Sequence, residues 1–107
     1  MPVQHLRYVL VDPFALDPTV FDSQSPGIDL YAPRHVTIEP GGHVKIDTGV
    51  TFLFPPDKLG LIWDKSSVAW SKEIVTEAGV IDTGYRGTVN IVLRNMSRET
   101  VCVERGQ

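Results

Sequence analysis

Three short clusters of polar side chains stand beside apolar segments of the sequence, and they contain the groups best suited to chemistry. The first is Gly27-Ile28-Asp29-Leu30, the second is Asp64-Lys65-Ser66-Ser67-Val68-Ala69, and the third surrounds Asp82 and Tyr85. Carboxylates can position or deprotonate water and can help to hold a metal ion. Hydroxyl and ammonium groups can bind an anion. The sequence therefore offers acid–base and anion-binding groups in three places.

Each cluster also has a structural explanation when it is considered alone. Asp29 follows a proline and a glycine, where an aspartate can cap a turn. The serine pair Ser66-Ser67 can cap a short helix. Asp82, in Asp-Thr-Gly, suits a turn, and Tyr85 suits a half-buried strand position. No single residue therefore identifies a function.

The elements that must position these groups are predicted to be short β-strands. Val, Ile and Thr recur in runs bounded by Pro and Gly, which is the pattern of a β-sandwich or barrel. The predicted strands are residues 6–11, 35–38, 43–54, 60–63, 88–94 and 100–103. In residues 43–54 apolar and polar residues alternate on either side of Gly49, which predicts two arms with a kink. Turns are predicted at 39–42 and 55–58, and one helical turn at 66–72.

Residues 79–89, with the sequence GVIDTGYRGTV, are predicted to form a β-hairpin. Apolar Val80-Ile81 precede the turn Asp82-Thr83-Gly84, and apolar residues resume at Val89. Gly79 and Gly87 lie on its two sides, where the missing side chain permits close approach of a ligand or of another backbone.

Length, charge and cysteine content exclude several classes of protein. The 107 residues suffice for one domain, expected to span 1–107, and are too few for two. A net charge of −3 gives no basic surface for nucleic acid or an anionic membrane, so neither partner is expected. Asp12-Pro13 interrupt the first apolar run, which argues against a signal peptide or a spanning helix. The single cysteine, Cys102, fits a reducing compartment, so a cytoplasmic or nuclear location is expected.

Taken together, the clusters resemble the ordered motifs of the trimeric dUTP pyrophosphatase (dUTPase) family. Residues 25–32, SPGIDLYA, are similar to the family's first motif, Ala-Gly-x-Asp-Leu. Residues 64–69 are similar to the second motif, Pro-Arg-Ser-Gly-Leu-Ala. Residues 78–87, AGVIDTGYRG, match nearly all of the third motif, the nucleoside-binding hairpin. The resemblance covers residues 26–107, and three motifs in order at family spacing make it specific.

The resemblance implies an all-β, jelly-roll-like domain of the dUTPase β-clip type that assembles as a homotrimer. It also implies an enzyme that hydrolyses the nucleotide dUTP to dUMP and pyrophosphate with Mg²⁺. Asp82 would orient and deprotonate the water that attacks the α-phosphorus. Tyr85 would stack under the deoxyribose and leave no room for a 2′-hydroxyl. The main chain of Gly79, Val80 and Ile81 would hydrogen-bond the uracil, which discriminates well because cytosine would leave those groups unpaired.

The other two motifs would supply phosphate and metal contacts. Ser66 and Ser67 would donate hydrogen bonds to the phosphate chain. Lys65 stands where the family has arginine, so it supplies positive charge without the two-pronged donor geometry. Asp29 would lie near the metal, through a water, or would support the catalytic residues. The site would be shared, with the hairpin of one subunit meeting the Asp29 and Ser66 segments of another.

The C-terminal part of the family pattern is not in this sequence. Gly106 is expected to be the first residue of the fourth motif, and the fifth motif, a Gly-rich arm that closes over the substrate, is missing. Without that arm we expect reduced turnover, because a lid and phosphate donors are lost. This leaves open a non-catalytic or weakly active nucleotide-binding or interaction protein of the same fold.

Two other enzyme classes are weaker alternatives. Asp-Thr-Gly occurs at Asp47 and again at Asp82, as in a retroviral-type aspartic protease protomer. Bulky Tyr85 follows the second copy, however, and no Gly-rich flap is present. A dCTP deaminase has a related fold and needs a glutamate at the cytosine. Glu77 lies just before the hairpin, but no surrounding motif supports that role.

Overall fold

The computed structural model describes residues 7–19, 28–56, 59–62, 72–77, 79–82 and 84–107. Within these ranges the chain forms nine short strands. They are β1 Arg7–Leu10, β2 Val36–Ile38, β3 His43–Asp47, β4 Val50–Leu53, β5 Gly60–Leu61, β6 Ile74–Thr76, β7 Val80–Ile81, β8 Asn90–Asn95 and β9 Val101–Val103. The described residues contain no helix long and apolar enough to cross a membrane.

All the strand pairings are antiparallel and most join distant parts of the chain. β1 pairs with β4, β2 with β9, and β5 with β7, while β8 lies between β3 and β6. The segment that carries β2 and β3 thus lies against the later segment that carries β8 and β9. Such nested antiparallel pairing is typical of jelly-roll architectures.

One hydrophobic cluster lies between the β2–β9 and β3–β8–β6 sheets. In β3, Val44 and Ile46 point inward while His43, Lys45 and Asp47 are exposed, as an alternating pattern requires. The buried residues of this cluster are Ala32, Ile38, Ile46, Ile74 and Val103.

A second cluster lies beneath the pocket described below. Val50, Phe52 and Val89 are buried there, and the partly buried Ile62 and Ile81 pack against them. The Phe52 and Phe54 rings stack with their centroids 5.8 Å apart. This cluster therefore ties β5 and β7 to β4 and to the start of β8.

The kink predicted at Gly49 is confirmed. β3 ends at Asp47 and β4 begins at Val50, and Gly49 between them has a φ of +72°. A Cβ at this position would lie 2.5 Å from Asp12 Cβ. Only glycine satisfies both the left-handed backbone and the close approach.

The predicted strands are confirmed with mostly shorter bounds, although β8 extends one residue beyond the predicted end, and one strand was missed. β6 was not predicted, although it supplies the edge of the three-stranded sheet. The turn predicted at 39–42 is confirmed, since Gly42 N–H donates to Glu39 C=O at 2.9 Å. Residues 57–58 of the second predicted turn and 66–71 of the predicted helical turn lie outside the described residues.

Candidate functional site

A pocket of about 200 Å³ lies between residues 79–85 and the start of β8. Five of the residues singled out from the sequence line it or flank it, which brings the third motif together in one place. The lining residues are Ile62, Gly79, Val80, Ile81, Asp82, Tyr85, Val89 and Asn90.

The pocket opens where two paired segments separate. β6 pairs with β8 along its whole length. The pairing continues to Glu77, whose N–H donates to Val92 C=O at 3.0 Å. Beyond that point β7 pairs with β5 rather than with β8. The turn predicted after Asp82 is present, since Tyr85 N–H donates to Asp82 C=O at 3.0 Å. The hairpin predicted over 79–89 is therefore right in its turn and wrong in its pairing, because its two arms bond to other strands.

In the first arm of the predicted hairpin, which contains β7, the main-chain groups of Val80 point away from β5. Ile62 N–H donates to Gly79 C=O at 2.7 Å, and Leu61 stands opposite Val80 in the register. Hydrogen-bonded and non-hydrogen-bonded pairs alternate along an antiparallel ladder. Since the Ile62–Gly79 bond flanks the Leu61–Val80 pair, that pair is non-hydrogen-bonded. The N–H and C=O of Val80 therefore point off the free edge of β7, on the side of the pocket.

In the second arm, which begins at Val89 and continues into β8, the main-chain groups of Asn90 likewise point away from the paired strand. Thr48 N–H donates to Val89 C=O at 2.9 Å, and Asp47 stands opposite Asn90. The same alternation makes the Asp47–Asn90 pair non-hydrogen-bonded. The N–H and C=O of Asn90 thus point away from β3, toward the side on which β6 pairs farther along β8. Because β6 pairs with β8 only at residues 93–95, it does not extend to Asn90. The main-chain groups of Asn90 therefore reach the pocket without a strand partner among the described residues.

The Thr48-Gly49-Val50 turn fixes the position of the second arm. Thr48 donates twice to the Val89 C=O, from its N–H at 2.9 Å and from its hydroxyl at 2.8 Å. Val89 N–H in turn donates to Val50 C=O at 2.8 Å. Thr48, Val50 and Val89 are each 1% exposed, so these bonds are shielded from water. The arm is rigid at the point where the pocket begins.

Gly79 fixes the first arm through a close approach to β5. A Cβ at Gly79 would lie 3.2 Å from the Ile62 carbonyl oxygen, which is closer than most side chains tolerate. A side chain here would push β7 away from β5. The close approach predicted at this glycine is therefore present.

Asp82 and Tyr85 bring an acidic group and an aromatic ring to the rim of the pocket. Asp82 is exposed, and its carboxylate makes no side-chain hydrogen bond or ion pair with the described part of the chain. Tyr85 is 43% exposed and its hydroxyl donates to Thr88 C=O at 2.7 Å. The carboxylate is thus available to a water or a ligand, and one part of the ring remains accessible.

Asp29 lies elsewhere in the chain and does not line the pocket. Its N–H donates to Thr19 C=O at 2.7 Å, and Thr19 N–H donates to Asp29 C=O at 3.1 Å. The flanking Leu30 packs against the second hydrophobic cluster and Ala32 is buried in the first. Asp29 is therefore a half-buried residue held on a fixed backbone, and it is not among the residues that line the pocket. Lys65, Ser66 and Ser67 lie outside the described residues.

Sequence reasoning missed three residues that line the pocket: Ile62, Val89 and Asn90. Ile62 and Val89 are ordinary apolar strand residues with no signal of their own. Asn90 did carry a signal, since it is a polar residue inside the apolar run Val89-Asn90-Ile91-Val92-Leu93.

The residues behind the two weaker enzyme alternatives have structural roles. Asp47 Oδ1 accepts a hydrogen bond from Gly49 N–H at 2.8 Å, which stabilises the kink. Glu77 binds Arg94 Nε at 2.8 Å and His43 Nδ1 at 3.0 Å on the outer surface of the three-stranded sheet. These contacts hold the pKa of the Glu77 carboxyl below its usual range, chiefly through Arg94 and next through His43. Neither residue lines the pocket.

The described residues contain no group of three or more His, Cys, Asp or Glu side chains able to hold a metal ion. The chemistry of the donors still fits Mg²⁺, which is usually bound by one or two carboxylates together with substrate phosphates and water. Among the described residues, Asp82 is the only acidic side chain that lines the pocket.

Comparison with known proteins places this site in a family. A profile of the dUTPase family matches residues 15–107. The deoxyuridine 5′-triphosphate nucleotidohydrolases of fowl adenovirus A serotype 1 and Mycobacterium avium are 33% identical over 106 residues and 35% identical over 104. These alignments cover 99% and 94% of this chain, and 60% and 68% of those proteins.

A solved structure supports the same grouping. A mutant dUTPase from phage phi11 of S. aureus, whose structure describes the coordination of a structural Mg(II) ion, is 29% identical with a TM-score of 0.81. The superposition covers 86% of this chain and 60% of that one. The all-β, jelly-roll-like fold expected from the sequence is thereby confirmed. The chain spans only 60% of the fowl adenovirus relative. The family profile, however, matches residues 15–107 of this chain. This chain belongs to the dUTPase family.

Proposed function

We propose that the protein hydrolyses dUTP to dUMP and pyrophosphate. The observation that carries the proposal is the pocket between the two separated arms, where main-chain groups of Val80 and Asn90, the Asp82 carboxylate and the Tyr85 ring converge. A planar base can enter such a gap as an added strand would, by pairing with main-chain donors and acceptors. This explains why the two arms separate instead of pairing with each other.

Uracil fits this gap better than cytosine because main-chain groups are fixed as donors or acceptors. Uracil presents two carbonyl oxygens that flank one N–H, whereas cytosine replaces one carbonyl and the N–H by an amino group and a ring acceptor. A mismatch would leave buried groups unpaired, at a cost of about 1–3 kcal/mol each. Of the three residues predicted to contact the base, Val80 has its main chain directed off the edge of β7. Asn90 joins it from the opposite arm.

The sugar and the attacking water are assigned to Tyr85 and Asp82. The accessible part of the Tyr85 ring provides an apolar surface for a deoxyribose, against which a 2′-hydroxyl would have neither space nor a partner. Asp82 has a carboxylate without a side-chain partner in the described chain, so it can accept a proton from water. That water would attack the α-phosphorus in line, and pyrophosphate would leave.

The described residues bring to the pocket none of the positive charge that a triphosphate requires. Among them, the lining includes one carboxylate and no Lys, Arg or His. Bound Mg²⁺ would neutralise and orient the phosphates, and Asp29 would approach it through a water. Lys65, Ser66 and Ser67 would supply the remaining donors to the phosphate chain.

These groups would come from a second copy of the chain. Asp29 does not line the pocket of its own chain, and the described residues of that pocket supply no phosphate-binding cation. A homotrimer in which the Asp29 and Ser66 segments of one subunit face the hairpin of the next would complete each site.

Pyrophosphate release tests the proposal. The protein is incubated with Mg²⁺ and each of dUTP, dCTP, dTTP and UTP, and the phosphate products are measured. We expect kcat/KM for dUTP to exceed that for dCTP by at least about 100-fold, because a site that hydrogen-bonds its substrate rejects an analogue that leaves those bonds unmade. No hydrolysis of dUTP would refute the proposal. Tight dUTP binding in that case would identify a nucleotide-binding protein without catalysis.

A further inference from the structure

The ring of Tyr85 lies folded back along its own chain. Its hydroxyl donates to Thr88 C=O at 2.7 Å. A Cβ built at Gly87 would lie 2.6 Å from the Tyr85 hydroxyl oxygen, 2.8 Å from Cζ and 3.2 Å from Cε1. The end of the ring therefore occupies the space that any side chain at position 87 would fill.

The Thr88 carbonyl, which accepts the hydrogen bond from the Tyr85 hydroxyl, is itself fixed. Asn90 Nδ2 donates to the same Thr88 oxygen at 3.2 Å, so both of its lone pairs are used. Asn90 belongs to β8, and Val89 beside it is anchored by Thr48. At its other end Tyr85 is held by its N–H, which donates to Asp82 C=O. The ring is thus tied to the rigid second arm and to the residue that carries the carboxylate.

We propose that Gly87 and the Thr88 carbonyl, together called the Tyr85 anchor, set the selectivity for deoxyribose over ribose by fixing the ring. This inference rests on the proposed function and deepens it. An exposed aromatic ring without contacts at its far end could rotate away from the sugar. A shift by the width of one hydroxyl group would then make room for a ribonucleotide. The Tyr85 anchor prevents that movement. Gly87 is a positioning residue, since it acts through Tyr85.

Gly87→Ala tests the Tyr85 anchor, and Gly84→Ala is the matched control. Both changes add one methyl group to the same loop, but a Cβ at Gly84 meets nothing within 4 Å. The readout is the ratio of kcat/KM for dUTP to kcat/KM for UTP. We expect Gly87→Ala to lower this ratio about tenfold or more and Gly84→Ala to leave it unchanged, because displacement of one wall changes discrimination by roughly that amount. A general folding defect would lower both kcat/KM values and leave their ratio intact.

Tyr85→Phe removes the hydroxyl and keeps the ring, so it tests the other half of the Tyr85 anchor. It should lower the same ratio, by less than Gly87→Ala does. Because both substitutions act through one ring, the double variant should lose less selectivity than the product of the two single losses. Independent, multiplicative losses would show that Gly87 does not act through Tyr85.

Two further measurements separate this inference from the proposed function. Nuclear Overhauser contacts between the Tyr85 ring and the Gly87 Hα protons report the Tyr85 anchor without any substrate, and only three tyrosines need to be resolved. If the protein does not hydrolyse dUTP, the ratio of dissociation constants for nonhydrolysable dUTP and UTP analogues replaces the kinetic ratio. An unchanged selectivity ratio in Gly87→Ala, or the absence of the ring contact in the unmodified protein, would overturn the inference.

Discussion

At the scale of single residues, the proposed chemistry depends on one exposed carboxylate. Asp82 is assigned this role because of its position, since it lies in the turn between β7 and Tyr85 and has no side-chain partner in the described chain. In the proposed mechanism the Asp82 carboxylate holds a water in line with the α-phosphorus and accepts its proton.

Asp82→Asn should therefore separate binding from catalysis. We expect kcat for dUTP to fall by about 10²–10⁴-fold, the usual contribution of a positioned base. The affinity for a nonhydrolysable dUTP analogue should change little, because the amide has the size of the carboxylate. Single-turnover kinetics and calorimetry measure the two quantities. An unchanged kcat would remove Asp82 from the mechanism.

Residue types indicated only part of the site. Asp82 and Tyr85 were singled out because a carboxylate and an aromatic ring are side chains suited to chemistry and stacking. Asn90 was taken only as part of an apolar strand, although it lines the pocket. Main-chain recognition leaves almost no trace in residue type, because every residue carries the same N–H and C=O. Only the strand pairing reveals which of these groups are available.

At the scale of elements, the Thr48-Gly49-Val50 turn determines where the second arm lies. The Thr48 hydroxyl donates to Val89 C=O and accepts from Val50 N–H, both in buried surroundings. Removing it would leave a buried N–H and weaken the hold on β8 at the edge of the pocket.

Thr48→Val should lower the free energy of unfolding by about 1–3 kcal/mol, because valine keeps the shape and leaves buried groups unpaired. Urea denaturation measures this loss. Thr37→Val, at the exposed position of β2, is the control, and a surface change of this type should stay within about 0.5 kcal/mol. Equal effects from the two substitutions would show that the hydroxyl of Thr48 is not needed.

The contacts of Glu77 link β3 and β8 to the end of β6 and make stability depend on pH. Arg94 and His43 hold the pKa of Glu77 below its usual value of 4.5. The carboxylate thus adds stability above pH 4.5, and this contribution is lost as pH falls through the lowered pKa.

Glu77→Gln keeps the shape of the side chain and removes its charge. The difference in unfolding free energy between the unmodified protein and this variant should be present at pH 7. It should shrink as the pH falls below about 4.5, because Glu77 then takes up a proton in the unfolded chain before it does so in the folded protein. Denaturation curves between pH 7 and pH 3 measure the difference. A difference that does not vary with pH would contradict the assigned ion pairs.

The strands with a strong alternating sequence pattern were predicted. The features that depend on pairing with strands distant in sequence were not. β3 and β4 follow from alternation and from Gly49. β6 is only three residues long and follows Lys72 and Glu73 with no turn residue before it. Glu73 adopts a φ of +55°, a conformation that glycine usually signals. The separation of the hairpin arms depends on β5 and β3, which are distant in sequence, so local patterns could not reveal it.

At the scale of the whole molecule, the proposed site needs phosphate-binding groups that the described part of one chain does not bring to the pocket. Among the described residues the pocket lining contains no Lys, Arg or His, and Asp29 does not line it. We therefore expect active sites shared between chains. Two inactive variants, Asp82→Asn and Lys65→Ala, should regain activity when they are mixed under conditions that exchange subunits, because some sites then combine two intact halves.

Light scattering on the same samples reports the assembly. A mass of three chains of 11.9 kDa is expected. A mixture that stays inactive, together with the mass of a single chain, would contradict the shared site.

The central claim is that the main-chain groups of Val80 and Asn90 hold the base. The most direct measurement is a titration of the amide resonances of the protein with a nonhydrolysable dUTP analogue and Mg²⁺, compared with the matching dCTP analogue. We predict that the amide signals of Val80 and Asn90 shift strongly with the uracil compound and little with the cytosine compound. Amide signals of these two residues that stay in place with the uracil compound, or shift equally with both, would contradict the account.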